Sequence, residues 1–388
     1  MTATSGDLAQ LYGDLREQLA RRETYYPRHQ EPEWSRLQST LAAVTECLWE
    51  RAAAEAPMSA PSHLASLAEH PVFVLGYYKS GTTLVLNLLD GHPDVLSLPG
   101  ESRYFAHLDD VSARHDREAS LRRLHAVWVR NTITPYGLPP RWVLGQPQPD
   151  AADPYDELGR HLVAFARGRA GRDPLAAAAQ ALAAVTGSSP RLWVEKTPMH
   201  EFHLERILAA YPEARFVHIV RDPCATIESI QQYESGEPIV DPLTGAAELS
   251  RSFAIALDAQ RQLGDRYTII RYESLVTDTP GTMRIVAAGV GIAFDERLLV
   301  PTTLGRPSTA NAGRPERRVA GNVHSLSLDG GRSLRRRDRM VVTALAGRPA
   351  ESLGYCTHGG SRAVALAARA ALFSRYRLAP RLLGSRSG

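Results

Sequence analysis

Four short apolar runs, separated by segments of helical periodicity, constrain this 388-residue chain more than any other feature. Pro71-Val-Phe-Val-Leu-Gly76 is apolar throughout, rich in valine and closed by glycine, which predicts a strand buried on both faces. Arg191–Glu195, Arg215–Val220 and Tyr267–Arg271 repeat the pattern. Helical segments follow them: Thr83–Asp90, stopped by Gly91-His92-Pro93, then HEFHLERILAAYP, Pro223–Tyr233 and PGTMRIVAAGVGI. Strands spaced by helices of this length predict an α/β fold, a parallel sheet flanked by helices. The rest of the chain reads as additions to that sheet. Residues 1–70 are a helical N-terminal extension, about 104–190 a helical insertion and 341–388 a basic helical tail; the α/β domain spans 71–340, with an Arg- and Gly-rich loop over about 305–340.

Composition excludes several classes. The net charge of +3 is too small to argue for nucleic acid. No apolar run reaches 18 residues, which disfavours a membrane span, and the polar N-terminus does not read as a signal peptide. Cys47, Cys224 and Cys356 are too scattered for a disulfide scaffold or a zinc site, so a cytoplasmic protein without metal is expected. Of 45 basic residues only Lys79 and Lys196 are lysine. An arginine-biased genome explains the ratio but not the two positions.

Lys79 lies in Gly76-Tyr-Tyr-Lys-Ser-Gly-Thr-Thr83, between the first strand and its helix. Backbone amides in such a turn converge on one spot and favour an anion. Lys79 adds a mobile charge, and Ser80, Gly81, Thr82 and Thr83 supply further donors; simple helix capping is the bland alternative. The order differs from Walker A, which places Gly-Lys before the Ser or Thr. Downstream, Arg221 leaves a strand end and Ser229 lies two turns into the next helix, with Asp222-Pro223 reading as a cap. His218, within the strand, reads as a packed core histidine.

Together these motifs resemble the sulfotransferases that use 3′-phosphoadenosine-5′-phosphosulfate (PAPS), over roughly residues 71–325. Trp193-Val-Glu-Lys-Thr-Pro-Met-His200 and Arg271-Tyr-Glu-Ser-Leu-Val-Thr-Asp-Thr-Pro280 are similar to the bacterial branch; His92-Pro-Asp-Val and Gly100-Glu101-Ser-Arg are similar to the tyrosylprotein sulfotransferases. The resemblance implies the sulfotransferase fold, PAPS as co-substrate, and in-line transfer of a sulfonyl group to the hydroxyl of a small molecule, natural product or glycolipid. It implies Lys79 at the leaving oxygen, with Ser80 to Thr83 around the phosphosulfate and Arg221 and Ser229 on the 3′-phosphate. It further implies Tyr272 near adenine and Arg317 and Arg318 in a late basic loop. Lys196 would reach the sulfonyl group, with Thr197 as an added donor. Glu101 is the expected base, its pKa raised by partial burial; the family's alternative histidine position holds Pro198 here, leaving His200 two residues on as second candidate. A nucleotide-dependent kinase and a non-catalytic nucleotide-binding module stay open. The tail reads as a packed or homodimer-covering helix, with contact with a membrane surface or lipid-linked acceptor as the alternative. Trp128, Tyr136 and Trp142 line an acceptor cleft or fill a core.

Overall fold

The computed structural model describes residues 5–20, 32–55, 64–107, 116–134, 141–147, 153–167, 173–232, 240–309, 319–324, 328, 331, 333–356 and 361–383. Two N-terminal helices, α1 (Ser5–Ala20) and α2 (Pro32–Ala54), precede β1 (Pro71–Leu75), α3 (Thr82–Asp90) and β2 (Val95–Ser97). Then come α4 (Tyr104–His107), α5 (Arg117–Ile133), α6 (Pro154–Arg167), α7 (Pro174–Val185) and β3 (Leu192–Lys196). The chain continues through α8 (Leu204–Ala210), β4 (Arg215–Val220), α9 (Pro223–Gln231), α10 (Pro242–Leu263), β5 (Tyr267–Arg271), α11 (Tyr272–Thr277) and α12 (Thr279–Val290). A small hairpin, β6 (Thr302–Thr303) and β7 (Arg306–Pro307), and the helices α13 (Arg336–Ser352) and α14 (Arg362–Leu383) complete it.

The five long-sheet strands run parallel in the order β2-β3-β1-β4-β5. Alternation along each strand splits the apolar residues between two layers. Val72, Val74, Val194, Val217 and Ile219 face a cluster with α3 and α12. Phe73, Leu75, Trp193 and Phe216 face the opposite layer, where Leu8, Tyr12, Leu48 and Trp49 of α1 and α2 pack with Leu124, Trp128 and Leu162 of α5 and α6. Phe73 is ringed by Phe105, Trp193, Tyr211 and Phe216 with centroids 5.8–6.0 Å away, contacts each worth about 0.5–1.5 kcal/mol beyond buried area. Trp128 and Trp142 belong to this core, and Tyr136 lies outside the described residues. A third cluster joins Tyr77 and Val220 to α9, α10 and α13, and reaches Ala368 of α14.

The parallel sheet agrees with the sequence reading, and β2 and α10 are among the elements absent from it. β2 has only three residues, too short for periodicity to register. α10 begins where Asp241 caps the amides of Leu243 and Thr244, ahead of Pro242 at the first helical position. Among the described residues no helix is long and apolar enough to cross a membrane. A cavity of 420 Å³, lined by His70, Arg191, Glu213 and Arg215, opens at the amino ends of the strands. Ligand crevices in such sheets form at the carboxyl ends, where the motifs converge.

Candidate active site

The loop after β1 is strained where it carries charge. Lys79 adopts φ 63°, a left-handed conformation unusual for a non-glycine residue. Ser80 Oγ donates to the Tyr77 carbonyl at 2.5 Å, closing the turn. Gly81, at φ 106°, is the N-cap of α3, and its conformation leaves no room for a side chain: a Cβ there would lie 2.6 Å from Tyr272 Cδ2. The first amides of α3, through Thr82 and Thr83, have no intrahelical acceptor and carry the positive end of the helix dipole. Arg103 (φ 49°) and Met199 (φ 68°) are also left-handed, and both flank the same strand ends.

Arg221 leaves β4 and turns back onto this loop. Its Nη1 donates to the Lys79 carbonyl at 2.8 Å, and its guanidinium lies 4.6 Å from the centre of the Tyr272 ring. Arg221, Lys79, Gly81 and Tyr272 therefore form one contiguous wall. Tyr272 is 3% exposed, wedged among Ile219, Ile270 and Met283. Asp222 caps α9 through the Ala225 amide at 2.8 Å, as its sequence position predicted. Ser229 is half-buried on α9. Its neighbour Glu228 accepts from the Gly331 amide and from the Ser333 amide and hydroxyl, seating Gly331 and Ser333 on α9. Arg317 and Arg318 lie outside the described residues.

The second wall is the end of β3. Val74 of β1 is in register with Lys196, and the Met199 amide donates to the Gly76 carbonyl at 3.1 Å, which ties the two strand ends together. Lys196 is completely buried and donates to Glu101 Oε1 at 3.0 Å. Arg103 approaches the other oxygen of Glu101 at 3.6 Å. Burial by itself would push the Glu101 carboxyl up, but Lys196 and then Arg103 outweigh it and hold the group below its ordinary value. The expectation of a raised pKa is thus reversed: a buried lysine partner was not visible in the sequence. Thr197 Oγ1 donates to Glu195 at 2.7 Å and accepts from the Arg103 amide, so it is a tie between loops in this arrangement. His200 is buried, with Nδ1 3.0 Å from Glu195 and its ring edge-on to Phe105. The structure puts Glu101, and not His200, against Lys196.

Two buried carboxylates had no role in the sequence reading. Glu195 receives Ser102, Thr197 and His200. Glu201 receives the Gly76 amide at 3.3 Å and Ser252 Oγ at 2.6 Å, and Ser252 continues to His218 and Tyr267. Burial pushes Glu201 up and lowers His218 to about 3, which makes His218 a neutral core residue. Their only sequence signal was a charged residue at or just after a buried strand end.

Comparisons with known proteins place the chain in a family. A stretch of 112 residues is 30% identical to the omega-hydroxy-beta-dihydromenaquinone-9 sulfotransferase Stf3 of Mycobacterium bovis, covering 25% of this chain and 28% of that protein. Over 241 residues the chain is 28% identical to the nodulation protein NoeE of Sinorhizobium fredii, covering 56% of this chain and 49% of the relative. The chain therefore spans about half or less of the length of these relatives. The sulfotransferase domain from the curacin biosynthetic pathway aligns with a TM-score of 0.48 at 17% identity, over 74% of this chain and 98% of that one. The family model described as the Sulfotransferase family matches residues 71–296, from the first residue of β1 to just beyond α12, and the chain belongs to that family.

Proposed function

We propose that the protein transfers a sulfonyl group from PAPS to the hydroxyl of a small-molecule, natural-product or glycolipid acceptor. The observation that carries this reading is the Lys196–Glu101 pair at the carboxyl end of β3, beside the anion-binding loop of Lys79. The residues present suit the donor. The start of α3, Gly81 without a side chain, and the Thr82 and Thr83 hydroxyls form a cradle for a phosphosulfate, with Ser80 closing the turn beneath it and Lys79 over the bridging oxygen. Arg221 and Ser229 take the 3′-phosphate and Tyr272 borders the adenine, with Arg317 and Arg318 as further candidate cations for the same phosphate.

The acceptor oxygen attacks sulfur in line as the bond from sulfur to the bridging oxygen breaks. The acceptor proton passes to Glu101, and the electron pair of the broken bond stays on the 5′-phosphate, next to Lys79 and the α3 amides. In the resting pair Glu101 is held ionised, the form a base requires, but with little proton affinity. When Lys196 turns from Glu101 to the sulfonyl oxygens, burial becomes the dominant influence on Glu101 and raises its proton affinity during transfer. One lysine thus serves the charge on the base first and the charge on the transferring group second. No step here calls for a metal.

We place the catalytic unit at 71–340 in the cytoplasm, with the 104–190 insertion on the acceptor side and α14 as a contact for a membrane surface. The decisive assay supplies radiolabelled PAPS and a panel of hydroxyl acceptors. Labelled product forms with wild type, and Glu101→Gln lowers turnover about 10²–10⁴-fold while 3′-phosphoadenosine-5′-phosphate still binds. Phosphoryl transfer from ATP that vanishes with a chelator would replace this reading with the kinase. Donor binding without turnover on any acceptor would replace it with the binding module.

A further inference from the structure

Glu101 and Ser102 are consecutive in one loop, and Glu195 and Lys196 are consecutive at one strand end. Alternation sends the two strand side chains to opposite faces, and the loop meets both: Glu101 on Lys196 at 3.0 Å, Ser102 on Glu195 at 2.6 Å. Glu195 is 1% exposed, and every group that reaches it is a donor. Its Oε1 accepts from Ser102 Oγ, from the Ser102 amide at 3.3 Å and from Thr197 Oγ1 at 2.7 Å, and its Oε2 faces His200 Nδ1 at 3.0 Å. Burial alone would raise this carboxyl, but His200 and then the two hydroxyls hold it below its ordinary value, so it stays ionised. A buried anion is retained only when its neighbours satisfy it, and here the neighbours are the two segments that carry Glu101 and Lys196.

We infer that Glu195 is a positioning residue, a clamp that fixes the 101–103 loop to the end of β3 and so sets the spacing of Glu101 and Lys196 without touching either substrate. The catalytic importance of that spacing rests on the proposed sulfonyl transfer; the clamp itself does not. His200 acts in the same clamp. Its Nδ1 is spent on Glu195, while its Nε2 is buried with no hydrogen-bond partner among the described residues. The charged and titratable groups facing Glu101 are Lys196 and Glu195 of β3, Arg103 of its own loop and Tyr78 of the loop after β1. Arg123 of α5 holds the same loop by donating to the Ser102 carbonyl at 2.9 Å. Of these, Lys196 is the strongest pull on Glu101 towards the ionised form, and it depends most on the loop position. Loosening the clamp separates the pair and leaves burial to dominate, so Glu101 protonates at higher pH.

The test is a ¹³C-carboxyl titration of Glu101 in the full chain, assigned with Glu101→Gln, for wild type, Glu195→Gln, Glu195→Ala and Ser102→Ala. Glu195 itself raises Glu101, so removing its charge opposes the shift. The midpoint still moves upward in all three variants, because separation from Lys196, the larger influence, outweighs it. Ser102→Ala, which keeps that charge and loses one of the four bonds, reads the clamp alone. In the transfer assay the acid limb of kcat moves the same way. At pH 6 kcat falls about tenfold in Glu195→Gln, recovers most of the loss by pH 8.5, and leaves KM for PAPS within about twofold, the pattern of a lost base rather than lost binding. Should Glu195→Ala fail to fold, Glu195→Gln and Ser102→Ala carry the measurement. An unmoved Glu101 midpoint, with kcat lowered by one factor at every pH, overturns the clamp. Absence of transfer by wild type overturns the functional reading, and the titration still decides the clamp.

Discussion

Replacing Lys196 with methionine isolates the central charge pair. Methionine conserves most of the apolar stem, so the loss is the ammonium and its bond to Glu101 at 3.0 Å. Lys196 is fully buried and the Glu101 side chain is 18% exposed, which makes this a buried pair rather than a surface one. Removing one partner of such a pair costs about 3–5 kcal/mol, and the residual exposure of Glu101 and its contact with Arg103 put the expected cost at about 3 kcal/mol at pH 7.5. The sign of the pH dependence follows from Glu101. In wild type its folded pKa is depressed, so its contribution is present above the unfolded value of about 4.3 and is lost only as pH falls through the lower folded value. In Lys196→Met burial dominates and the folded pKa lies above the unfolded one, so the penalty disappears as pH falls through it. The stability gap measured by urea unfolding is therefore widest at pH 7–8 and narrows towards pH 5. The double variant Lys196→Met, Glu101→Gln removes both charges, and its cost falls short of the sum of the single costs by about 2 kcal/mol. Additive costs, or a gap that does not change with pH, would refute the pairing argument.

Two further outcomes are expected. Gly81→Ala adds a Cβ 2.6 Å from the Tyr272 ring at a left-handed position, and calorimetry with 3′-phosphoadenosine-5′-phosphate detects at least about a tenfold loss of affinity, or 1.4 kcal/mol; a folded variant that binds as wild type does would sink the cradle. Helix α14 packs Ala368 and Leu372 inward and leaves Leu366 72% and Phe373 61% exposed, in a segment from 361 to 388 with six arginines and no acidic residue. The full chain sediments with anionic vesicles at low salt and a chain ending at 360 does not; equal sedimentation would assign α14 to packing alone.

How much could be read from the residues depended on the length of the element and the range of the contact. β1, β3, β4 and β5 were legible because each is an apolar run of five or six residues bounded by polar segments. The loop after β1 was legible because its chemistry sits in consecutive residues. β2 escaped because three residues carry no period, and its place at the sheet edge follows only from pairing with β3. The low pKa of Glu101 escaped because Lys196 is 95 residues away in the chain. Glu195 was read as part of a motif without a role of its own, since nothing local shows that Ser102 will come back to it. The two buried charge pairings hang on contacts that only folding creates.

The lysines have a practical consequence. The chain holds only two, one half-buried at a strained loop position and the other fully enclosed against a carboxylate. Among its side chains, amine-directed reagents can meet Lys79 first and Lys196 only after the β3 end opens. A protein rich in cationic side chains thereby offers a nearly single-site handle for covalent labelling, located in the loop after β1, where, on the proposed reading, acylation or a fluorescent tag would report on donor occupancy.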